Sequence, residues 1–482
     1  MKSHSFINLK YCILIFCKGT FFCREFHIKI FRSYSCHPLY LSSRTPARKD
    51  AVTVRASHYG YEKIYRGTII HFNLLSFFFF LEKYGIRFRI FLYFYKMILR
   101  DAKPKLENLA KSFKAIAVIG PRQAGKTTLV KSTFPDKPYI SLENPDIRNF
   151  ALEDPRGFLL NIPNGAILDE VQRVPSLFSY LQEILDNSNE KGLFILTGSN
   201  NFLLQENISQ SLAGRVAYLN LLPFSINELS SANLVPKTDE DILFKGFYPP
   251  IYDQEISPLD WIPNYIKTYI ERDVRQIKNV TDLLIFEKFM RVLAGRTGQE
   301  LNLSSISNEV GVDLKTIQSW IGILESSFII YLLKPHFQNF NKTIVKRPKV
   351  YFYDTGLVCS FLRISNPIQL ESHPLKGAIF ETMVVIEMVK KFTNKGLSVN
   401  LYFWRDKTGH EVDAIIDDAG KLIPVEIKSS KTINSDFFKN LKYWNNLSKL
   451  NNSILIYSGN QEQKRSDGTL ITNWKNINQL DF

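Results

Sequence analysis

Residues 115–128 read AIAVIGPRQAGKTT, and this stretch constrains the fold more than any other. Five consecutive apolar residues suit a strand buried on both faces of a parallel sheet. They run directly into Gly120, Gly125, Lys126 and Thr127, which satisfy the G-x-x-x-x-G-K-[ST] pattern of a phosphate-binding loop. The following KTTLVKSTF can begin a helix, whose first N–H groups and dipole attract phosphate oxygens. A glycine turn before a helix would need none of this context. Gly120, Gly125, Lys126, Thr127 and Thr128 are therefore the expected nucleotide contacts, with ATP and Mg²⁺ as the expected ligands. Lys126 is expected to reach the β- and γ-phosphates, and the Thr127 hydroxyl to bind Mg²⁺.

About fifty residues on, GAILDEVQ (165–172) reads as a buried strand ending in two carboxylates. Asp169 is placed to hold Mg²⁺ and Glu170 to polarise the attacking water. GLFILTGSNN (192–201) reads as another buried strand with a polar end, where Ser199 or Asn200 would position that water or sense the γ-phosphate. The competing reading is a plain polar cap on a strand. Arg215, just before a further strand, is a candidate finger for transition-state charge from the same or a neighbouring subunit. A surface ion pair is its competing reading. Strand-like runs at 115–119, 138–142, 166–168, 193–197 and 215–222, separated by helix-sized stretches, predict an α/β fold with helices on both faces of a parallel sheet.

Taken together, RDAKPKLENLA, GPRQAGKTT, LDEVQRVP, LTGSN, LAGRV, GFYPP and YIKTYIERDVR make the chain resemble the AAA+-type P-loop ATPases of bacteria and archaea that carry a C-terminal domain of unknown function. The resemblance implies ATP binding and hydrolysis. It also places Arg272 and Arg275 on the connection leaving the ATPase, as interface or coupling residues. It runs from about Met97 to the end and leaves no place for the first 96 residues.

Those 96 residues differ in composition as well. They hold 16 Lys/Arg against 4 Asp/Glu, 23 of the 64 aromatic residues and four of the five cysteines. The formal charge of +15 therefore falls to +3 for the remainder, and the total is no argument for a nucleic-acid partner. LLSFFFFL (74–81) is too short for a spanning helix of ~18 apolar residues. The spacings of Cys12, Cys17, Cys23 and Cys36 match no zinc pattern. The composition shift makes Met97 the expected natural start, against the rival of a targeting or membrane-surface segment that would suit a membrane-associated signalling role. Cys359 is then the one remaining cysteine, which fits a reducing cytoplasm.

In the middle, LSSISNEVGVDLKTIQSWIGILESSFIIYLLK (303–334) predicts a short helix on Leu303, Ile306 and Val310, a turn at Gly311, and a second helix. Asp313 would cap that helix, with Leu314, Ile317, Ile321 and Leu324 on one face. A following strand completes a winged helix-turn-helix pattern. The outer face, Lys315, Thr316, Gln318 and Ser319, has one cation, where phosphate binding usually uses several. A protein-packing module is the even alternative. Lys342, Lys346, Arg347 and Lys349 offer a patch for a nucleic-acid backbone, or a charged wing.

GHEVDAIIDDAGKLIPVEIKSSK (409–431) reads as a hairpin. A turn at Ala419–Gly420 puts Asp413 opposite Glu426 on one face, ~5 Å apart at Cβ, with Lys428 beside them. Directly opposed carboxylates repel, and an oxygen-preferring divalent ion between them removes the repulsion. The pattern resembles the PD-(D/E)XK nuclease core. That resemblance implies Asp413, Glu426 and an upstream helical Glu381 as metal ligands, Lys428 as the catalytic lysine, and Arg405 as a phosphate contact. The competing reading has Lys428 neutralising both carboxylates in an inactive nuclease-like fold.

The expected organisation is a leader (1–96), an AAA+-like P-loop ATPase domain (97–235), a helical and winged helix-turn-helix region (236–345) and an α/β nuclease-like domain (346–482). The expected function is an ATPase coupled to binding or cleavage of DNA or RNA in the cytoplasm. A homo-oligomer is expected and a membrane partner is not. The alternative is a nucleotide-dependent switch whose inactive C-terminal domain binds a protein partner.

Overall fold

The computed structural model describes the backbone at 6–17, 20–31, 40–42 and 91–95, and residues 97–198, 212–270, 283–337 and 346–482. Two compact units result, Met1–Met97 and Ile98–Phe482, divided where the composition changes. The first contains strands β1 (Phe6–Cys17), β2 (Thr20–Phe31), β3 (Tyr40–Ser42) and β4 (Phe91–Tyr95) in an antiparallel sheet of order β3-β2-β1-β4.

The second unit begins with β5 (Ala115–Ile119), β6 (Tyr139–Ser141), β7 (Ile167–Asp169), β8 (Phe194–Gly198) and β9 (Val216–Asn220). They form a fully parallel sheet of order β6-β7-β8-β5-β9, on the five predicted runs. Side chains alternate between two apolar layers. Ile116, Val118, Ile167 and Ile195 pack with Leu106, Leu129 and Val130 from the helices Lys103–Ser112 and Lys126–Thr133. Ala117, Leu168 and Leu196 face the other way, toward Leu177, Phe178 and Leu181 of the helix Leu177–Asn187. Each fully buried Leu, Ile or Phe contributes about 1.5–3 kcal/mol. A sheet covered on both faces leaves its strand ends as the accessible edge, so chemistry gathers at the carboxyl ends.

The helices Leu303–Val310 and Leu314–Ser326 form as expected. Gly311 adopts the left-handed conformation between them, and Asp313 caps the second through the Thr316 N–H at 3.0 Å. Ile306, Val310, Ile317, Ile321 and Leu324 are buried, but Leu314 is 45% exposed, because the first turn lies beyond the packed face. Strand β10 (Ile330–Leu333) pairs antiparallel with β11 (Lys349–Phe352), so β11 belongs with the middle region rather than beyond the boundary expected at 345.

The C-terminal sheet holds β12 (Leu401–Arg405), β13 (Glu411–Asp418), β14 (Lys421–Lys428), β15 (Ile454–Tyr457), β16 (Gln463–Lys464) and β17 (Leu470–Asn473), in the order β12-β13-β14-β15-β17-β16. Its first three strands are antiparallel neighbours, and β14, β15 and β17 run parallel. The long helix Lys376–Asn394 is buried along most of its length, and its core residues join the same apolar cluster as the helix Leu177–Asn187. No helix among the described residues is long and apolar enough to cross a membrane.

Candidate functional site

The phosphate loop occupies the turn between β5 and the helix Lys126–Thr133. Gly125 has φ +88° and Gly120 φ +152°, and a Cβ on Gly120 would collide with the Leu221 carbonyl oxygen. Glycine is thus dictated by backbone direction and by the close approach of the β9 exit. Lys126 is buried, and its Nζ donates to the carbonyl oxygens of Gly120 (2.9 Å) and Pro121 (2.8 Å). Arg100 braces the loop from outside: its guanidinium donates to the Ala124 carbonyl (2.6 Å), to the Leu222 carbonyl (2.6 Å) and to Glu228 (2.9 Å). The sequence reading assigned Arg100 no role, since neither of the carbonyls it holds carries a side-chain signature.

Register brings Asp169 together with Tyr139, Thr197 and Thr127. Asp169 ends β7 opposite Ser141 of β6 and Thr197 of β8. Its carboxylate accepts hydrogen bonds from Tyr139 (2.6 Å) and Thr197, and the Thr127 hydroxyl lies 3.4 Å from both its oxygens. Burial, reinforced by Asp169, raises the Tyr139 phenol above its usual range, so it stays a donor. Thr127 and Asp169 are thus within 3.4 Å of one another at the strand ends. Glu170 is in the left-handed conformation (φ +54°) and leads into a tight turn, Val171–Arg173. That turn lets Gln172 Nε2 donate to Glu170 Oε2 at 2.6 Å.

Arg215 is elsewhere. Val216 pairs with Ala115, so Arg215 sits at the amino end of a strand whose carboxyl end faces the phosphate loop, and it forms a two-pronged ion pair with Asp186. Parallel pairing rules out a finger to its own chain's loop. Ser199, Asn200, Arg272 and Arg275 lie outside the described residues.

The C-terminal hairpin turns at Ala419–Gly420 (φ +51° and +92°), and Ala414 pairs with Val425 and Asp418 with Lys421. That is the register the turn position predicts. Lys428 Nζ lies 2.7 Å from Glu426 Oε1 and 3.3 Å from Asp413 Oδ2, and the latter also accepts the Ile427 N–H (2.8 Å). Burial and then Asp413 push the Glu426 carboxyl up to about 8. Its second oxygen is buried without a hydrogen-bond partner.

Glu381, by contrast, is bound to a residue that local reading had placed in an exposed patch. Lys349 is buried, and its Nζ contacts Glu381 (3.0 Å) and Glu411, while the Tyr351 hydroxyl donates to Glu381 at 2.6 Å. Burial opposes the Lys349 charge, but Glu381 and its neighbours outweigh it and hold the ammonium well above its ordinary value. Lys349 is therefore no part of a backbone-tracking patch; Lys346 and Arg347 are exposed, and Lys342 lies outside the described residues. Arg405 is also engaged, with Glu300 (3.1 Å) and Glu411 (3.2 Å). The carboxylates thus fall into two lysine-held groups, and among the described residues no three His, Cys, Asp or Glu gather as a metal-binding set.

Comparison with known proteins gives three family matches along the chain. Residues 112–230 match the family described as AAA domain. Residues 237–368 and 376–477 match two families described as domains of unknown function, DUF8612 and DUF4143. An uncharacterized protein of Mycobacterium tuberculosis is 28% identical over 337 residues, covering 69% of this chain and 74% of that protein. One of Methanocaldococcus jannaschii is 26% identical over 354 residues, covering 67% and 75%. Among solved structures, the Walker-type ATPase PABY2304 of Pyrococcus abyssi matches at 14% identity and TM-score 0.38, over 55% of this chain and 95% of its own. AMPPCP-bound DnaA of Aquifex aeolicus matches at 18% identity and TM-score 0.25, over 46% and 85%. Residues 112–230 are thus similar to AAA domains, and they hold the α/β region with the parallel sheet.

Proposed function

We propose that the chain is a Mg²⁺-dependent ATPase whose nucleotide state governs its C-terminal domain. The observation that carries the first half is the convergence of Lys126, Thr127 and Asp169 at the carboxyl ends of β5 and β7. Lys126 would leave the loop carbonyls for the β- and γ-phosphate oxygens, and its charge would stabilise the transferring group. Thr127 and Asp169 would hold Mg²⁺, which supplies charge neutralisation on the phosphates when bound. Glu170 would polarise the water that attacks the γ-phosphorus.

The second half rests on the helix Lys376–Asn394. Glu387 on this helix accepts the Ile226 N–H (2.7 Å), and Lys390 donates to the Phe224 carbonyl (2.7 Å) and to Glu387 (2.6 Å). Phe224 and Ile226 lie within four residues of Leu222, whose carbonyl Arg100 ties to the phosphate loop. Glu381 is six residues up the same helix, ~9 Å along its axis. ATP turnover measured with and without DNA or RNA tests this coupling: a changed rate is expected, and an unchanged rate together with no binding counts against it.

One observation favours cleavage of nucleic acid by the C-terminal domain: the buried, unpartnered Glu426 oxygen beside Asp413 and Lys428 is a vacant acceptor suited to a cation. Asp413 and Glu426 would hold the ion, and Lys428 would stabilise charge developing on a phosphate. Incubation of several DNA and RNA forms with Mg²⁺ or Mn²⁺ is expected to give cleavage that Asp413→Ala lowers by at least about 10²-fold. Intact ATPase with no cleavage by native protein would instead leave a switch whose C-terminal domain binds a protein partner.

A further inference from the structure

We infer that Gln172 is a catalytic residue of the ATPase site, its side-chain carbonyl holding the attacking water that Glu170 polarises. The inference rests on the ATPase reading and adds a residue that the phosphate-loop and Asp169–Glu170 motifs do not include. Three observations carry it. The first is conformational. Glu170 takes a left-handed backbone that side chains other than glycine adopt at a cost, and the tight turn after it brings Gln172 back onto Glu170.

The second observation is orientation. A carboxylate accepts hydrogen bonds and does not donate them, so the Gln172 nitrogen must face Glu170, as the 2.6 Å contact has it. The amide is planar, and its oxygen is thereby fixed on the other side. The third is that this oxygen, Oε1, is buried and has no hydrogen-bond partner, in a residue only 8% exposed. A buried unpaired carbonyl is destabilising, and a leucine or methionine would fill the volume without it. Retaining the amide here calls for an O–H or N–H donor arriving from outside the protein.

Water is the donor that fits. A water hydrogen-bonded to Oε1 would lie ~3 Å from it, and on the edge of the amide that it shares with Nε2 its second hydrogen would turn toward the Glu170 carboxylate. Held by both hydrogens, the water would keep its lone pairs free for attack on the γ-phosphorus. In hydrolysis the water oxygen bonds to the γ-phosphorus as the bond to the β,γ-bridging oxygen breaks. The bond's electron pair leaves on ADP. One water proton stays on the released phosphate, and the other passes to Glu170 and then to solvent.

The test compares native full-length protein with Gln172→Met, in a native and in a Glu170→Gln background, by steady-state hydrolysis, ATP binding and thermal melting. Gln172→Met is expected to lower kcat by at least about tenfold while KM and ATP affinity stay within about twofold. In the Glu170→Gln background the same change should cost less than about twofold, because both residues act on one water. A smaller fall in kcat, a matching rise in KM, or full additivity with Glu170→Gln would overturn the inference. Should the methionine variant fail to fold, Gln172→Asn, which draws the amide back by one methylene, decides by the same criteria. Native protein without any Lys126-dependent hydrolysis is a different result: it overturns the ATPase reading itself, and this inference with it.

Discussion

Lys126→Ala is expected to lower ATP hydrolysis by at least about 10²–10³-fold, the scale for removing a donor aimed at transition-state charge. The substitution takes away a buried cation whose ammonium already lies between the Gly120 and Pro121 carbonyls of the loop. Its hydrogen bonds to Gly120 and Pro121 are lost as well, but Arg100 still holds the loop through Ala124 and Leu222. The fold should therefore survive, with a melting temperature close to native. Phosphate release and nucleotide binding, measured on the same preparation as the melting curve, check this. A variant that binds and hydrolyses ATP as well as native protein removes the basis for assigning the loop a catalytic role.

Lys390→Met is expected to destabilise the Ile98–Phe482 unit by about 3–5 kcal/mol, the cost of leaving one partner of a buried pair uncompensated. Both Lys390 and Glu387 are buried, and Lys390 also lies 3.7 Å from the centre of the Phe247 ring. Removing the ammonium leaves the Glu387 carboxylate and the Phe224 carbonyl without it. Burial, the largest cause, already raises the Glu387 carboxyl, and losing Lys390 raises it further. For a unit of this size the melting temperature should fall by roughly 4–6 °C. Glu387→Gln combined with Lys390→Met should cost less than Lys390→Met alone, since glutamine still accepts the Ile226 N–H and buries no charge. A single-variant loss under about 1 kcal/mol would show that the pair does not anchor the helix.

The parts of this molecule legible from sequence are those with local causes. AIAVI and FILTG are buried on both faces, so their unbroken apolar runs mark central parallel strands. The Ala419–Gly420 turn, with both residues at positive φ, fixes a two-residue hairpin register, and everything from Asp418 back to Ala414 follows from it. What was not legible depends on distant partners. Lys349 belongs to a local run of cations, yet the strand pairing turns it inward to Glu381 and Glu411, which lie far along the chain. That pairing also gives Glu381 a lysine and a tyrosine as partners. Arg100 acts through backbone carbonyls, which have no residue code. Arg215 was readable in principle: a residue preceding a parallel strand lies at the amino edge of the sheet, opposite the phosphate loop.

Hydrolysis at this site is measured most directly by single-turnover release of γ-phosphate from ATP by the full chain, with Mg²⁺ and with EDTA, for native protein and Glu170→Gln. A Mg²⁺-dependent ATPase site gives release that requires Mg²⁺ and falls by at least about 10²-fold in Glu170→Gln, while that variant still binds ATP. Release that persists unchanged in EDTA and in Glu170→Gln, or none from native protein, would contradict the ATPase reading.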